Sequence, residues 1–366
     1  MRIAIIAPPW LPVPPPAYGG TENVLDALAR ALKDLGHDVV LFTTGDSTCD
    51  VERRWTLERH VGVGAPGPVD ELRHAIAAYE SVADADVIHD HTLTGPVYAS
   101  SLGGLAVVTT NHGPFDENLA PIYRALARRV PVVAISAHQA SLAPDIPIAA
   151  VIHHGVRVEE FPVGSGDGGY ALFLGRMHPS KGAHVAARVA RAAGVPLRIA
   201  GKLLEPIERE YFDAKVRPLL GGDVTYLGEV GQADKLELLG QATCLLNPIA
   251  WPEPFGMVMV EALACGTPVV TTPHGAAPEI VEDGVVGFVR SGEAALAEAV
   301  ADAAYLSRSA CRKLAEERFS ARRMALDHLR LYERVRSGEL GLSSAPAAPG
   351  VRRAAPSAPD VATPVA

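Results

Sequence analysis

Short runs of β-branched and other apolar residues recur at 3–7, 39–43, 87–89, 106–110, 132–135 and 150–153, with amphipathic segments between them. Strands that are apolar on both faces need cover on both sides, so the alternation predicts a parallel sheet wrapped by helices. Between the first two runs, Val24, Leu25, Leu28, Ala31, Leu32 and Leu35 fall on one helical face, and Gly36 ends it. The rhythm returns at 170–174, 197–200, 224–227, 244–246 and 269–271, which predicts a second doubly wound unit of the α/β class.

A chain of 366 residues is long enough for two such units, each with its own core. The stretch 163–169, VGSGDGG, has almost no side chains to pack and reads as a hinge or linker. The expected domains are therefore 1–163 and 164–319. A helical pattern over 320–337, carrying Met324, Leu326, Leu329, Leu331 and Tyr332, closes the folded part. Residues 338–366 hold mostly Ala, Pro and Ser toward their end and read as a disordered tail.

Composition narrows the function classes. The net charge is −9, and residues 1–165 hold 11 Lys and Arg against 19 Asp and Glu. That balance argues against a nucleic-acid partner and against broad attraction to anionic lipid. The four cysteines, Cys49, Cys244, Cys265 and Cys311, lie far apart without metal-site spacing, which suits a reducing compartment. The apolar run 3–7 stops at Pro8-Pro9, too short for a signal-peptide core, and no stretch approaches a membrane span. A cytoplasmic protein with at most peripheral membrane contact is expected.

The densest chemical signal is 252–270, PEPFGMVMVEALACGTPVV. Pro254 and Gly256 suit a turn into a short buried helix, and Gly266 suits its stop. Free N–H groups around Phe255, Gly256 and Met257 can receive phosphate or sugar oxygens, helped by the helix dipole. Glu253 in the loop and Glu261 on the helix can accept hydroxyl hydrogen bonds. The bland reading makes Glu253 a helix cap and pairs Glu261 with a surface base, yet a charge inside an apolar helix needs a stronger reason to be there.

This segment resembles the Glu-x7-Glu signature of retaining glycosyltransferases of family 4, and the similarity extends over most of 1–335. The resemblance implies the GT-B fold: two Rossmann-like domains facing a central cleft, the N-terminal one mostly for the acceptor and the C-terminal one mostly for a nucleotide-sugar, with the final helix crossing back. It implies a metal-independent transfer with no cofactor, in which Glu253 orders sugar hydroxyls and Glu261 the ribose. Donor base, sugar and acceptor stay open. A UDP-sugar is favoured over a GDP-sugar, and the acceptor hydroxyl can belong to a small molecule, a glycan or a lipid-linked molecule. Oligomeric state is not legible. The alternatives are a GT-B sugar-nucleotide epimerase or phosphorylase, and a non-catalytic nucleotide-sugar-binding protein.

Three further motifs join it. In 173–182, FLGRMHPSKG, a strand ends and brings an Arg and a Lys together, a pair suited to a diphosphate and to charge on a leaving group. In similar transferases these residues contact the donor diphosphate, which assigns that role to Arg176 and Lys181; two solvated surface charges are the alternative. The loop 14–22, PPPAYGGTE, lets Gly19 and Gly20 bring backbone close to a ligand ahead of a helix. The corresponding family loop lies near donor phosphates and acceptor, which makes Tyr18 and Thr21 acceptor-side candidates. His89, Asp90 and His112 sit at the ends of predicted parallel strands, where open α/β sheets place ligands. His112 resembles a family histidine that touches the donor sugar. For His89 and Asp90, acceptor contact and a role in holding loops are both open.

Two patterns fail on context. The stretch 62–67 matches the dinucleotide fingerprint but contains Pro66 and lacks a strand-to-helix setting, and Asp84-Ala-Asp86 reads as fold rather than metal site. One departure stands out. Where relatives often carry Asn-Gly-Val-Asp at the domain junction, this chain has His154-Gly155-Val156-Arg157. Lys202, after a predicted strand, can approach phosphate.

Overall fold

The computed structural model describes residues 1–17, 19–62 and 67–340. Tyr18, most of the rejected fingerprint at 62–67, and the tail from 341 on lie outside the described residues. The first domain is a seven-stranded sheet made of β1 (Arg2–Ile6), β2 (Asp38–Phe42), β3 (Glu52–Arg54), β4 (Val87–Asp90), β5 (Val107–Thr110), β6 (Val132–Ala134) and β7 (Ile148–Val151). Its order is β3-β2-β1-β4-β5-β6-β7, and every pair is parallel. The second is a six-stranded parallel sheet of β8 (Ala171–Leu174), β9 (Leu197–Ala200), β10 (Val224–Tyr226), β11 (Cys244–Asn247), β12 (Val269–Thr271) and β13 (Gly287–Val289), ordered β10-β9-β8-β11-β12-β13.

The apolar runs are continuous because both faces are buried. Ile3 and Ile5 of β1 enter one core with helices Gly20–Asp34 and Ala321–Arg336, while Ala4 and Ile6 enter the core on the other face. In the second domain Phe173 packs toward helix Ala183–Ala193 and Leu172 toward helix Met257–Ala264. Two strands escaped the apolar pattern. Strand β3 is Glu-Arg-Arg at the sheet edge, with partly or fully exposed side chains, and β13 has only three residues.

The stretch expected to be a hinge is fastened down. Gly164 N donates to Cys265 O, Gly166 N to Gly240 O and Gly168 N to Gln241 O, and Arg308 Nε caps Gly164 O at 2.8 Å. Its glycines serve close approach rather than freedom: a Cβ on Gly164 would lie 2.0 Å from Gly240 O.

The real crossing lies on either side of it. Val156 N donates to Phe319 O, and Ala321 N donates to Val156 O at 2.7 Å, so the outgoing and returning chains run side by side. A Cβ on Gly155 would lie 2.6 Å from Ser320 O. Ser320 then caps helix Ala321–Arg336, whose Met324, Leu331 and Tyr332 finish the first domain's core. In place of the acidic residue common at this junction, Arg157 pairs with Asp34 at 2.7 Å.

The domains are also latched across the cleft. Ser136 Oγ donates to Pro254 O at 2.6 Å. Glu279 of the second domain accepts from the N–H groups of Ala137 (2.9 Å) and His138 (2.7 Å), which open helix Ala137–Ser141 of the first, and lies 2.8 Å from His153 Nε2. Burial pushes the Glu279 carboxyl up, but the bonds from His153 and the two amides outweigh it and leave it below its ordinary value. A carboxyl whose pKa falls on folding adds stability above its unfolded pKa and loses it as pH drops through the folded value. Glu279→Ala should therefore cost about 1–2 kcal/mol at neutral pH, by analogy with a lost helix cap. Melting scans should show this difference shrinking on acidification below about pH 4. An unchanged difference at low pH would reject the latch.

Candidate active site

A cleft of about 390 Å³ opens between the domains. Its walls come from segments that follow the C-terminal ends of strands in both sheets: Trp10 after β1, His112 after β5, Arg176 after β8, Lys202 after β9 and Ile249 after β11. That is where doubly wound sheets leave loops and helix starts free to meet ligands.

Both signature carboxylates line this cleft, and each has a lysine partner. Glu253 Oε2 contacts Lys181 Nζ and accepts from Trp251 Nε1 at 2.7 Å, while the Lys181 ammonium lies 5.5 Å from the Trp251 ring. Lys181 ends a short 3-10 turn, Pro179–Lys181. Glu261 accepts from Lys235 Nζ at 2.7 Å, with both side chains nearly buried. Glu253 does not cap the helix. The N-cap is Gly256, at φ 104°, which a side chain would resist, and the first amides of Met257–Ala264 are left without helical acceptors. Phe255 is buried beneath this turn against the rings of His154 and Phe319, and Met257 also lines the cleft.

Arg176 reaches toward Glu208 Oε1 at 3.7 Å and Glu205 Oε1 at 3.9 Å, and it keeps contact with the cleft. Glu208 is fully buried. Its Oε2 accepts from the N–H groups of Leu204 and Glu205, while its Oε1 has no hydrogen-bond partner among the described residues and is spanned only by the longer approach of Arg176. Lys202 lines the cleft too, 3.9 Å from Glu205.

On the first-domain side, a Cβ on Gly19 would lie 2.6 Å from Pro15 Cγ, whereas one on Gly20 would meet nothing within 4 Å. Gly19 is thus fixed by its own loop, and Gly20 is open to a ligand. Thr21 lines the same wall. Beside it, Glu22 is 3% exposed, and burial pushes its carboxyl up to about 7.

His112 reaches the cleft, its ring held between His91 and His154. Burial lowers it to about 4, so it is neutral at ordinary pH. His89 and Asp90 are fully buried and are not among the residues lining the cleft. His89 spends both ring nitrogens, on Tyr332 Oη at 2.7 Å and Thr110 Oγ1 at 2.8 Å. Asp90 accepts from Tyr79 Oη and from Thr92 N, which fixes the turn after β4.

The comparisons with known proteins fit this geometry. The profile described as Glycosyltransferase Family 4 matches residues 18–160, and that of Glycosyl transferases group 1 matches residues 159–318. The chain belongs to glycosyltransferase family 4. It is 29% identical over 325 residues to a phosphatidyl-myo-inositol mannosyltransferase of Mycolicibacterium smegmatis, covering 78% of this chain and 80% of that one. Among solved structures it is similar to AviGT4, a glycosyltransferase involved in avilamycin A biosynthesis, at 27% identity and a TM-score of 0.72 over 92% of this chain and 98% of that one. The fold is also that of Anabaena HepE in complex with UDP and glucose, at 20% identity and a TM-score of 0.72 over 91% and 99%. The enzyme is a glycosyltransferase with two Rossmann-like domains in the GT-B arrangement.

Sequence reasoning missed Lys235, Trp251, Glu208 and Glu22. The signal for Lys235 was present in principle, because Glu261 on an apolar helix demanded a cation. Helix Gln232–Gln241 supplies it, 26 residues away. Lys235→Met should leave Glu261 unpaired and cost about 1–2 kcal/mol, less than for a wholly enclosed pair because both side chains are partly exposed. Adding Glu261→Leu should restore most of that loss, because an apolar pair of similar volume needs no partner. Denaturant titration of both single variants and the double variant checks this, and additive losses would reject the pair.

Proposed function

We propose that this enzyme transfers a hexose with retention from a nucleoside-diphosphate sugar to an acceptor hydroxyl, without a metal ion. The observation that carries the reading is the convergence of Arg176, Lys181, Lys202 and Lys235 with Glu253, Glu261 and an open helix start on one cleft. Fixed cations of this kind do for a leaving diphosphate what a metal does elsewhere.

Donor binding then works as an exchange of partners. The diphosphate draws Lys181 and Arg176, which releases Glu253 to accept hydrogen bonds from sugar hydroxyls. Glu261 turns its second oxygen to the ribose while Lys235 holds the first. The open amides at Gly256 and Met257 take the remaining phosphate oxygens. The acceptor enters from the side of Gly20, Thr21 and Glu22, where the helix Gly20–Asp34 begins. Its hydroxyl attacks on the face from which the diphosphate leaves, and a donor phosphate oxygen takes the proton, so the anomeric configuration is kept.

A UDP-sugar remains the expected donor ahead of a GDP-sugar. The similarity to a relative named for phosphatidyl-myo-inositol supports trying inositols and inositol lipids first as acceptors. We place the enzyme in the cytoplasm, in keeping with four free, buried cysteines, and no helix among the described residues is long and apolar enough to cross a membrane. Lipid access would then come from peripheral contact.

Lys181→Ala and Glu261→Ala should each reduce donor hydrolysis and transfer about 100-fold in folded protein, the scale of losing one charge-stabilising contact. Full activity in either would sink the site. Proton NMR of the product reads the anomeric configuration, and inversion would reject the mechanism. Activity that survives EDTA is expected, and its loss would restore a metal. UDP-glucose and GDP-mannose compared by thermal shift assign the base, a larger shift with GDP-mannose replacing UDP. Donor alone should yield free sugar and nucleotide; an isomerised sugar nucleotide would make the enzyme an epimerase, and binding without turnover a sensor.

A further inference from the structure

Three imidazoles form a hydrogen-bonded ladder through the floor of the cleft. His91 Nδ1 lies 2.8 Å from His112 Nε2, and His112 Nδ1 lies 3.2 Å from His154 Nε2. The rings of His112 and His154 are stacked, with centroids 5.0 Å apart. His154 stands at the domain junction, its ring edge against Phe255 at 5.2 Å, so the ladder runs from the first domain's sheet to the turn that carries the donor-binding helix.

A neutral imidazole has one N–H and one bare nitrogen, so the ladder has only two consistent arrangements, with every proton pointing one way or the other. Burial first, and then the neighbouring imidazoles, hold His91 and His154 well below the usual histidine range, so all three rings are neutral. The buried His91 Nε2 decides the direction: it has no partner among the described residues. An orphaned buried N–H is rarer than an under-satisfied acceptor, which favours leaving that nitrogen bare. His91 Nδ1–H then donates to His112, and His112 Nδ1–H donates to His154. Both ring nitrogens of His112 are spent inside the protein. What it offers the sugar is its ring edge and main chain, in one fixed orientation.

We propose that His91 and His154 are positioning residues for His112, fixing its tautomer and ring plane and tying both to the seating of the Phe255 turn. This rests on the reading of His112 as a group beside the donor sugar. At the domain junction the His154 imidazole offers His112 both a ring nitrogen and a stacking face.

Imidazole nitrogen NMR on ligand-free protein labelled at histidine tests the ladder directly, with His112→Gln identifying the signals. His112 is expected as a single tautomer with its proton on Nδ1. In His154→Phe, which keeps the stack but offers no acceptor, the two tautomers should mix. In His154→Gln, whose amide oxygen can stand in for Nε2, the single tautomer should return. His91→Phe should likewise release it. With UDP-glucose as donor, His154→Phe should lower kcat for hydrolysis about tenfold with KM little changed, and His154→Gln should recover most of it. A wild-type His112 protonated on Nε2, or one averaging both tautomers, overturns the proposal, as does a His112 signal indifferent to His154→Phe. If the NMR results hold while His112→Gln hydrolyses UDP-glucose at the wild-type rate, the ladder stands and the assignment of His112 to the sugar falls.

Discussion

Everything at the cleft depends on two stretches of chain held side by side, Val156 on the way out and Phe319 to Ala321 on the way back. A single flexible connection between two domains would leave their strand ends free to face any direction. A doubled connection, hydrogen-bonded at its centre and closed by a glycine that admits the opposing backbone, limits the motion to a rocking about that point. The final helix then makes the first domain's core incomplete without the end of the chain, since Met324, Leu331 and Tyr332 fill it.

From that crossing the cleft is assembled by polar contacts as well as by apolar burial, with Ile135 of the first domain joining the second domain's core. Ser136 holds the carbonyl of Pro254, one residue from Glu253, and Glu279 caps a helix of the opposite domain. These bonds are individually worth about a kcal/mol and can be made and broken, which suits a site that must admit one substrate and release another. The paired charges inside the cleft follow the same logic. Lys181 with Glu253 and Lys235 with Glu261 satisfy one another within the cleft, and in the proposed donor complex only the first pair parts. A cleft lined by cations alone would be costly to assemble; one lined by paired charges is not.

Much of this was legible in the chain. The two sheets announce themselves because an apolar strand buried on both faces has a local signature, and seven of the thirteen strands among the described residues carry two or more β-branched residues in a row, such as Val39-Val40 or Val87-Ile88. Strand β3 does not, since an edge of the sheet accepts Glu-Arg-Arg as readily as Val-Val. The glycine-rich stretch at 163–169 misled because glycine serves both freedom and close approach, and only the neighbouring backbone at Gly240 decides which. The residues of the signature, Glu253 and Glu261, and the pair Arg176 and Lys181 could be named from their setting of strand end, turn and helix start. His89 and Asp90 shared that setting, yet they face inward.

The sequence by itself determined most of the elements, the class of fold and the chemical kind of site, because periodicity, turn residues and the Glu-x7-Glu spacing act within a few turns of chain. Which group each charge or imidazole meets was decided only by the tertiary structure. Lys235 finds Glu261 across 26 residues, His112 finds His154 across 42, and His89 finds Tyr332 across 243. No local pattern encodes those partners, since each contact requires two packed elements to place atoms within about 3 Å of each other, and that placement is a property of the assembled cores.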